Sequence, residues 1–184
     1  GRIHREKGIE LFINALNNLN LKEWKVKIIG PWKTTDGGSG KKYKKNLIKM
    51  INNKSVSIEN PIPAKNITSL YKDTSIFVYP SLAKDETFGL SVIEFMSFGA
   101  APIVSDLECF KDFINHNING LIFNHKNKNS NLLLASSIKN LIVNQKLRFK
   151  IAKNALDIRN THSIDKIGEE FLNDFKELNN EKKN

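Results

Sequence analysis

Short β-rich runs alternate with longer amphipathic stretches along most of this chain, and few folds accommodate that rhythm. Lys25-Val26-Lys27-Ile28-Ile29 alternates polar and apolar residues and stops at Gly30-Pro31, the pattern of a strand. Val56-Ser57-Ile58 stops at Asn60-Pro61, and Ser75-Ile76-Phe77-Val78-Tyr79 stops at Pro80. Ala101-Pro102-Ile103-Val104 follows Gly99, and Gly120-Leu121-Ile122-Phe123 is the last strand candidate. Between these runs the spacing predicts helices over residues 7–20, 41–53, 64–73, 88–98 and 109–116. The expected architecture is α/β, a doubly wound parallel sheet of Rossmann-like type, with ligands bound beyond the carboxyl ends of the strands.

From about residue 129 the pattern turns helical, with a break near Arg159-Asn160-Thr161-His162-Ser163. Ser163 is placed to cap a final helix whose apolar face is Ile164, Ile167, Phe171, Phe175 and Leu178. Residues 1–160 are therefore read as one α/β domain, and 161–184 as a C-terminal helix and tail, with Asn179–Asn184 frayed. Thr34–Gly40, with three glycines in seven residues, reads as a mobile loop.

With 184 residues, 40% hydrophobic and 26% charged, the chain has material for one ordinary core. No apolar run reaches the roughly 18 residues that a membrane-spanning helix needs. Cys109 is the only cysteine, which excludes an internal disulfide and makes a cytoplasmic setting the expectation. The net charge of +10 suits anionic partners such as nucleotide phosphates, or a peripheral contact with the inner face of a membrane. Lys41-Lys42-Tyr43-Lys44-Lys45 is the densest basic stretch and the only one that comes close to the basic-aromatic pattern of a nucleic-acid surface, and no nucleic-acid partner is expected.

The richest segment is Pro80-Ser81-Leu82-Ala83-Lys84-Asp85-Glu86-Thr87-Phe88-Gly89-Leu90-Ser91-Val92-Ile93-Glu94. A strand ends at Pro80, a polar loop carries Glu86, and Phe88-Gly89-Leu90 opens a helix. Free N–H groups and the positive dipole end make such an opening suitable for a phosphate, and glycine leaves the backbone approachable. Glu86 and Glu94 lie eight positions apart, at two ends of one ligand-sized span, and carboxylates there suit sugar hydroxyls. Taken alone, two such glutamates are more often a solvated loop acid and a surface helix residue. A second candidate is the opening Gly1-Arg2-Ile3-His4-Arg5-Glu6-Lys7-Gly8-Ile9, where Arg2 offers a planar fork and Lys7 a point charge to a diphosphate. His4, His116, His125 and His162 have no metal-ligand spacing, and no metal site is expected. No Gly-x-Ser-x-Gly elbow, Walker loop or Gly-x-Gly-x-x-Gly string is present, which removes the main support for hydrolase, P-loop and dehydrogenase readings.

These strings resemble the C-terminal half of family-four retaining glycosyltransferases of the GT-B type, over nearly the whole chain. The match rests on Glu86-Thr87-Phe88-Gly89-Leu90-Ser91-Val92-Ile93-Glu94 running into Phe95-Met96-Ser97-Phe98-Gly99, and on Gly-Arg-Ile with Glu-Lys-Gly at residues 1–8. Tyr71–Ser81, Ala101–Asp106 and Asn119-Gly120-Leu121-Ile122 follow in the family's order. The resemblance implies that Arg2 and Lys7 bind the diphosphate of a nucleotide-sugar donor, and that Glu86 contacts hydroxyls of the transferred sugar. It further implies that the N–H groups of Phe88, Gly89 and Leu90 face sugar and phosphates, and that Glu94 holds the ribose. The turn at Pro61 and Ile62 would flank the base. No metal or other cofactor is implied. The acceptor, a glycan or a lipid-linked sugar, would be bound by an N-terminal domain that is not part of this chain.

The chain opens without methionine and is read as a piece of a longer enzyme, inactive alone, with its sheet one strand short ahead of Gly1. Its stretch Asp106-Leu107-Glu108-Cys109-Phe110-Lys111-Asp112 lacks the paired glycines found there in the family and has Asp112 where a glutamate would fall. Trp32–Gly40 also replaces a compact glycine turn, so contacts on the base side are expected to differ. The leading expectation is retaining sugar transfer in cell-surface glycan synthesis. A nucleotide-sugar epimerase and a non-catalytic nucleotide-binding module are the competing readings.

Overall fold

The computed structural model describes residues 1–181. Strands β1 (Val26–Ile29), β2 (Val56–Glu59), β3 (Ile76–Tyr79), β4 (Ala101–Ser105) and β5 (Leu121–Phe123) fall where the alternation predicts them, to within a residue or two. Every pairing among them is parallel: Val26 lies opposite Val56, Ile76 opposite Ala101, and Ile103 opposite Leu121. Helices α1 (Ile9–Leu16), α2 (Gly40–Met50), α3 (Ala64–Lys72), α4 (Leu90–Ser97) and α5 (Glu108–Lys111) fill the connections. They are followed by α6 (Ser130–Val143), α7 (Gln145–Ala155), α8 (Ile158–Thr161) and α9 (Ile164–Glu181).

β4 shows why the sheet is covered on both faces. All five of its residues are buried, and alternate ones enter different cores because successive side chains point to opposite faces. Ala101 and Ile103 join Ile13, Leu16, Leu134, Ile138 and Leu141 beneath α1 and α6. Val104 joins Val92, Met96, Phe110, Phe113, Ile114 and Ile158 on the other face. This is the doubly wound α/β arrangement that the sequence leads one to expect.

The strands form two sheets, β1–β2 and β3–β4–β5. Between β1 and β3 runs a cleft of about 1380 Å³, lined by Val26, Ile29, Ile76, Val78, Leu16 and Ile142 among others. Gly1 stands at its end and donates from its amino group to the Ile29 carbonyl at 3.3 Å.

Several predicted boundaries shift. The first helix starts at Ile9 rather than 7, because Arg5–Lys7 form a 3₁₀ turn closed by Gly8 in the left-handed region. It ends at Leu16, well before residue 20. The expected 109–116 helix shrinks to Glu108–Lys111. Thr34–Gly40 is pinned rather than loose: Ser39 N–H donates to the Ile3 carbonyl at 3.0 Å, and Arg5 N–H to Ser39 Oγ at 3.2 Å. Asn144 adds a further break in the helical segment, its side chain capping α7 by accepting from Leu147 N–H. Ser163 does cap α9, accepting from Lys166 N–H at 3.2 Å. Of the tail read as frayed, residues 179–181 continue α9 and 182–184 lie outside the described residues. The apolar side of α9 faces outward, with Ile164, Phe171, Phe175 and Leu178 all exposed. Among the described residues no helix is long and apolar enough to cross a membrane.

Candidate functional site

The loop after β3 and the turn at the chain's start meet at the carboxyl end of the sheet. Leu82 N–H donates to the Glu6 carbonyl at 2.7 Å, tying the two backbones together. Gly8 makes the approach feasible: its φ is 65°, and a Cβ built there would lie 1.9 Å from the Pro80 carbonyl oxygen. Only glycine satisfies both the left-handed backbone and that spacing. The result is that Lys7, seventy-nine positions from Glu86, donates from Nζ to its Oε2 at 2.7 Å.

This pair is well enclosed, with 15% of the Lys7 and 10% of the Glu86 side chain exposed. Two hydroxyls join it on the same oxygen: Ser81 Oγ donates to Glu86 Oε2 at 2.8 Å and Tyr79 OH at 3.1 Å. Burial pushes the Glu86 carboxyl up, but the hydrogen bonds from Lys7, Ser81 and Tyr79 outweigh it and hold the group below the usual glutamate range. Burial likewise pulls the Lys7 ammonium down, while Glu86 and Tyr79 raise it to a net upward shift. Both members are therefore charged at neutral pH.

Glu94 is placed by α4. Gly89 caps that helix with φ 73°, and of residues 88–92 only Val92 N–H finds a backbone acceptor, the Gly89 carbonyl. The preceding N–H groups are the free donors of a helix start. Gly89 also has a packing reason that the sequence did not reveal: a Cβ there would meet Phe110 Cε1 at 2.5 Å. Phe88 and Leu90 flank it with exposed side chains. One turn on, Glu94 is exposed and accepts from Tyr71 OH at 2.9 Å. Burial and the neighbouring Glu94 push the Tyr71 hydroxyl up to about 12, so it stays a donor.

The remaining predicted positions are distributed around this line. Pro61 and Ile62 stand with Ser91 and Glu94 at one end of the cleft between β1 and β3, whereas Lys7, Glu86 and Gly89 do not line it. That cleft lies between the two sheets, and only its rim touches the candidate site. Arg2 is brought to the same turn but directed elsewhere: it donates to Glu6 Oε1 at 2.9 Å and to the Gly37 carbonyl at 3.3 Å. At the Asn60-Pro61 turn, Trp32 Nε1 donates to Asn60 Oδ1 at 3.2 Å and Lys44 Nζ donates to the same oxygen at 3.3 Å. The Trp32–Gly40 segment is thus joined to the Asn60-Pro61 turn. Asp112 is exposed, and the acids of its loop that pair are Asp106 and Glu108, both with Lys111.

Tyr71, Tyr79 and Ser81 were not among the residues singled out from the sequence. Tyr79-Pro80-Ser81 sits at a strand's carboxyl end, which was the available signal. Tyr71 had none, since its partner is twenty-three positions away. Among the described residues no group of three or more His, Cys, Asp or Glu could hold a metal.

Comparison with known proteins agrees with this fold. The chain is 26% identical over 178 residues to an uncharacterized glycosyltransferase of Methanocaldococcus jannaschii, covering 96% of this chain and 43% of that protein. Over 90 residues it is 37% identical to N,N'-diacetylbacillosaminyl-diphospho-undecaprenol alpha-1,3-N-acetylgalactosaminyltransferase of Campylobacter jejuni, covering 49% of this chain and 23% of that one. Anabaena HepE, solved with UDP and glucose, shares the fold with a TM-score of 0.83 at 19% identity, covering 96% of this chain and 47% of HepE. The C-terminal domain of a glycosyl transferase group 1 family protein from Francisella tularensis matches with a TM-score of 0.71 at 28% identity, covering 88% and 82%. The chain spans less than half the length of the curated relatives it matches. The family model for glycosyl transferases group 1 matches residues 1–157, and the chain belongs to that family.

Proposed function

We propose that this chain is the donor-binding half of a retaining glycosyltransferase, which moves a sugar from a nucleoside-diphosphate sugar to an acceptor. The observation that carries the reading is the line from Lys7 and Glu86, through the free N–H groups at the start of α4, to Glu94. A cation and helix N–H groups suit a diphosphate, and the flanking carboxylates suit hydroxyls of the sugar and the ribose. Lys7 has two N–H donors beyond the one given to Glu86, so it has capacity for a phosphate oxygen. Arg2 would join it by leaving Glu6, an exposed partner that holds it weakly. Positive charge there offsets charge on the departing nucleotide, and the chemistry calls for no metal.

The acceptor-binding part would lie outside this chain, which alone would bind donor and transfer nothing. Likeness to an enzyme named for an undecaprenol-linked acceptor supports a role in cell-surface glycan synthesis. The lysines of α2, Lys41, Lys42, Lys45 and Lys49, are exposed and would favour a peripheral contact with an anionic membrane on its cytoplasmic side.

Calorimetric titration with UDP, GDP, ADP and their sugars, without added metal, tests the reading. One diphosphate should bind, and Lys7→Ala and Glu94→Ala should each weaken it by about tenfold. Binding that ignores both substitutions, or no binding even when the chain is joined to the rest of its enzyme, overturns it. Conversion of a sugar nucleotide without any acceptor would favour an epimerase instead.

A further inference from the structure

We propose that Tyr79 and Ser81 are positioning residues for Glu86, whose hydroxyls keep its carboxylate in place when Lys7 turns from it toward a diphosphate. This rests on the reading of the site as a donor site. Lys7, Ser81 and Tyr79 all address Oε2, and among the described residues Oε1 accepts no hydrogen bond. One oxygen is thereby anchored while the other remains for a sugar hydroxyl.

The anchors are themselves fixed. Ser81 is fully buried, and its Oγ accepts from Ala83 N–H at 3.4 Å. A hydroxyl carries one proton, so with that lone pair engaged the proton is directed to Glu86. The Ser81 backbone is held by its neighbour Leu82, bonded to the Glu6 carbonyl. Tyr79 is held by its ring, edge-on to Phe110 at 5.8 Å and stacked with Phe77 at 6.1 Å. Burial and the Glu86 charge push its hydroxyl up, which keeps it a donor.

A carboxylate held by Lys7 alone would lose its anchor and its countercharge whenever phosphate oxygens compete for the ammonium. Two neutral donors that cannot follow the phosphate keep the anchor in place when the countercharge moves away. Ser81→Ala and Tyr79→Phe each remove one donor and leave the packing intact. Carboxyl-carbon NMR of the chain without nucleotide reads the first consequence: the Glu86 titration should move upward toward the ordinary value of 4.5 in each variant. Titration with UDP and with UDP-glucose reads the second. UDP affinity should stay within about twofold, while UDP-glucose should weaken by about fivefold, because Glu86 then meets the sugar hydroxyl with one anchor fewer.

A Glu86 titration unchanged in both variants overturns the proposal, and so does an equal loss of UDP and UDP-glucose affinity. If the wild-type chain, joined to the rest of its enzyme, binds none of UDP, GDP, ADP and their sugars, the functional reading is what fails, and the carboxyl titration still decides whether the hydroxyls hold Glu86.

Discussion

The two glutamates of the candidate site sit eight residues apart and are built in opposite ways. Glu86 lies on a loop yet is enclosed, with three donors converging on one oxygen. Glu94 lies on a regular helix yet is exposed, with one tyrosine hydroxyl as its partner. Regular secondary structure is therefore not what immobilises a side chain here. The loop residue is fixed because a second backbone approaches it, and that approach depends on Gly8. The helical one is oriented by its own backbone and needs little else.

Substitutions at the two glycines probe that contrast most strongly. Gly8→Ala places a methyl group on the Pro80 carbonyl, a backbone atom that cannot step aside, and should lower stability by about 3 kcal/mol in urea unfolding. Gly89→Ala meets the edge of the Phe110 ring, which can shift, and should cost about 2 kcal/mol. Equal losses would mean that the junction of the two loops is no more constrained than the helix cap.

Removing the cation comes next. Lys7→Ala leaves a largely enclosed carboxylate with two hydroxyl donors and should destabilise the chain by about 2 kcal/mol at neutral pH. Loss of under about 0.5 kcal/mol would place the pair with ordinary surface salt bridges.

The pair also dictates a pH profile. The folded-state pKa of Glu86 is lowered, so its contribution is present above the ordinary 4.5 and is lost as pH falls through the depressed value. That of Lys7 is raised, so its contribution is present below the ordinary 10.5 and is lost as pH rises through the elevated value. Stability measured against pH should fall at both limits, and Glu86→Gln should flatten the acid limb. An acid limb as steep in that variant as in the wild type would assign it to other carboxylates.

Tyr71→Phe should have the smallest effect, about 1 kcal/mol or less by thermal unfolding, because Glu94 then turns to water. A larger loss would show that the helical end of the site is as tightly built as the loop end.

The strand runs were legible because a short β-rich run bounded by glycine or proline is a local property. Glu86, Gly89 and Glu94 were legible because strand end, loop and helix start follow one another in a single stretch. Tyr71 and Trp32 were not, since their hydrogen bonds reach Glu94 and Asn60 across the fold. The short α5 and the early end of α1 escaped for the opposite reason: apolar spacing continued past the point where packing ended the helix.

The sequence by itself determined the parallel α/β alternation, the helix start that presents Gly89, and the order of motifs that marks the family. Those are encoded by neighbours a few residues apart, where chain connectivity alone brings groups together. The tertiary structure decided which charges meet. Lys7 and Glu86 become partners only because two loops converge on Gly8 and Pro80, and no local spacing carries information about that convergence.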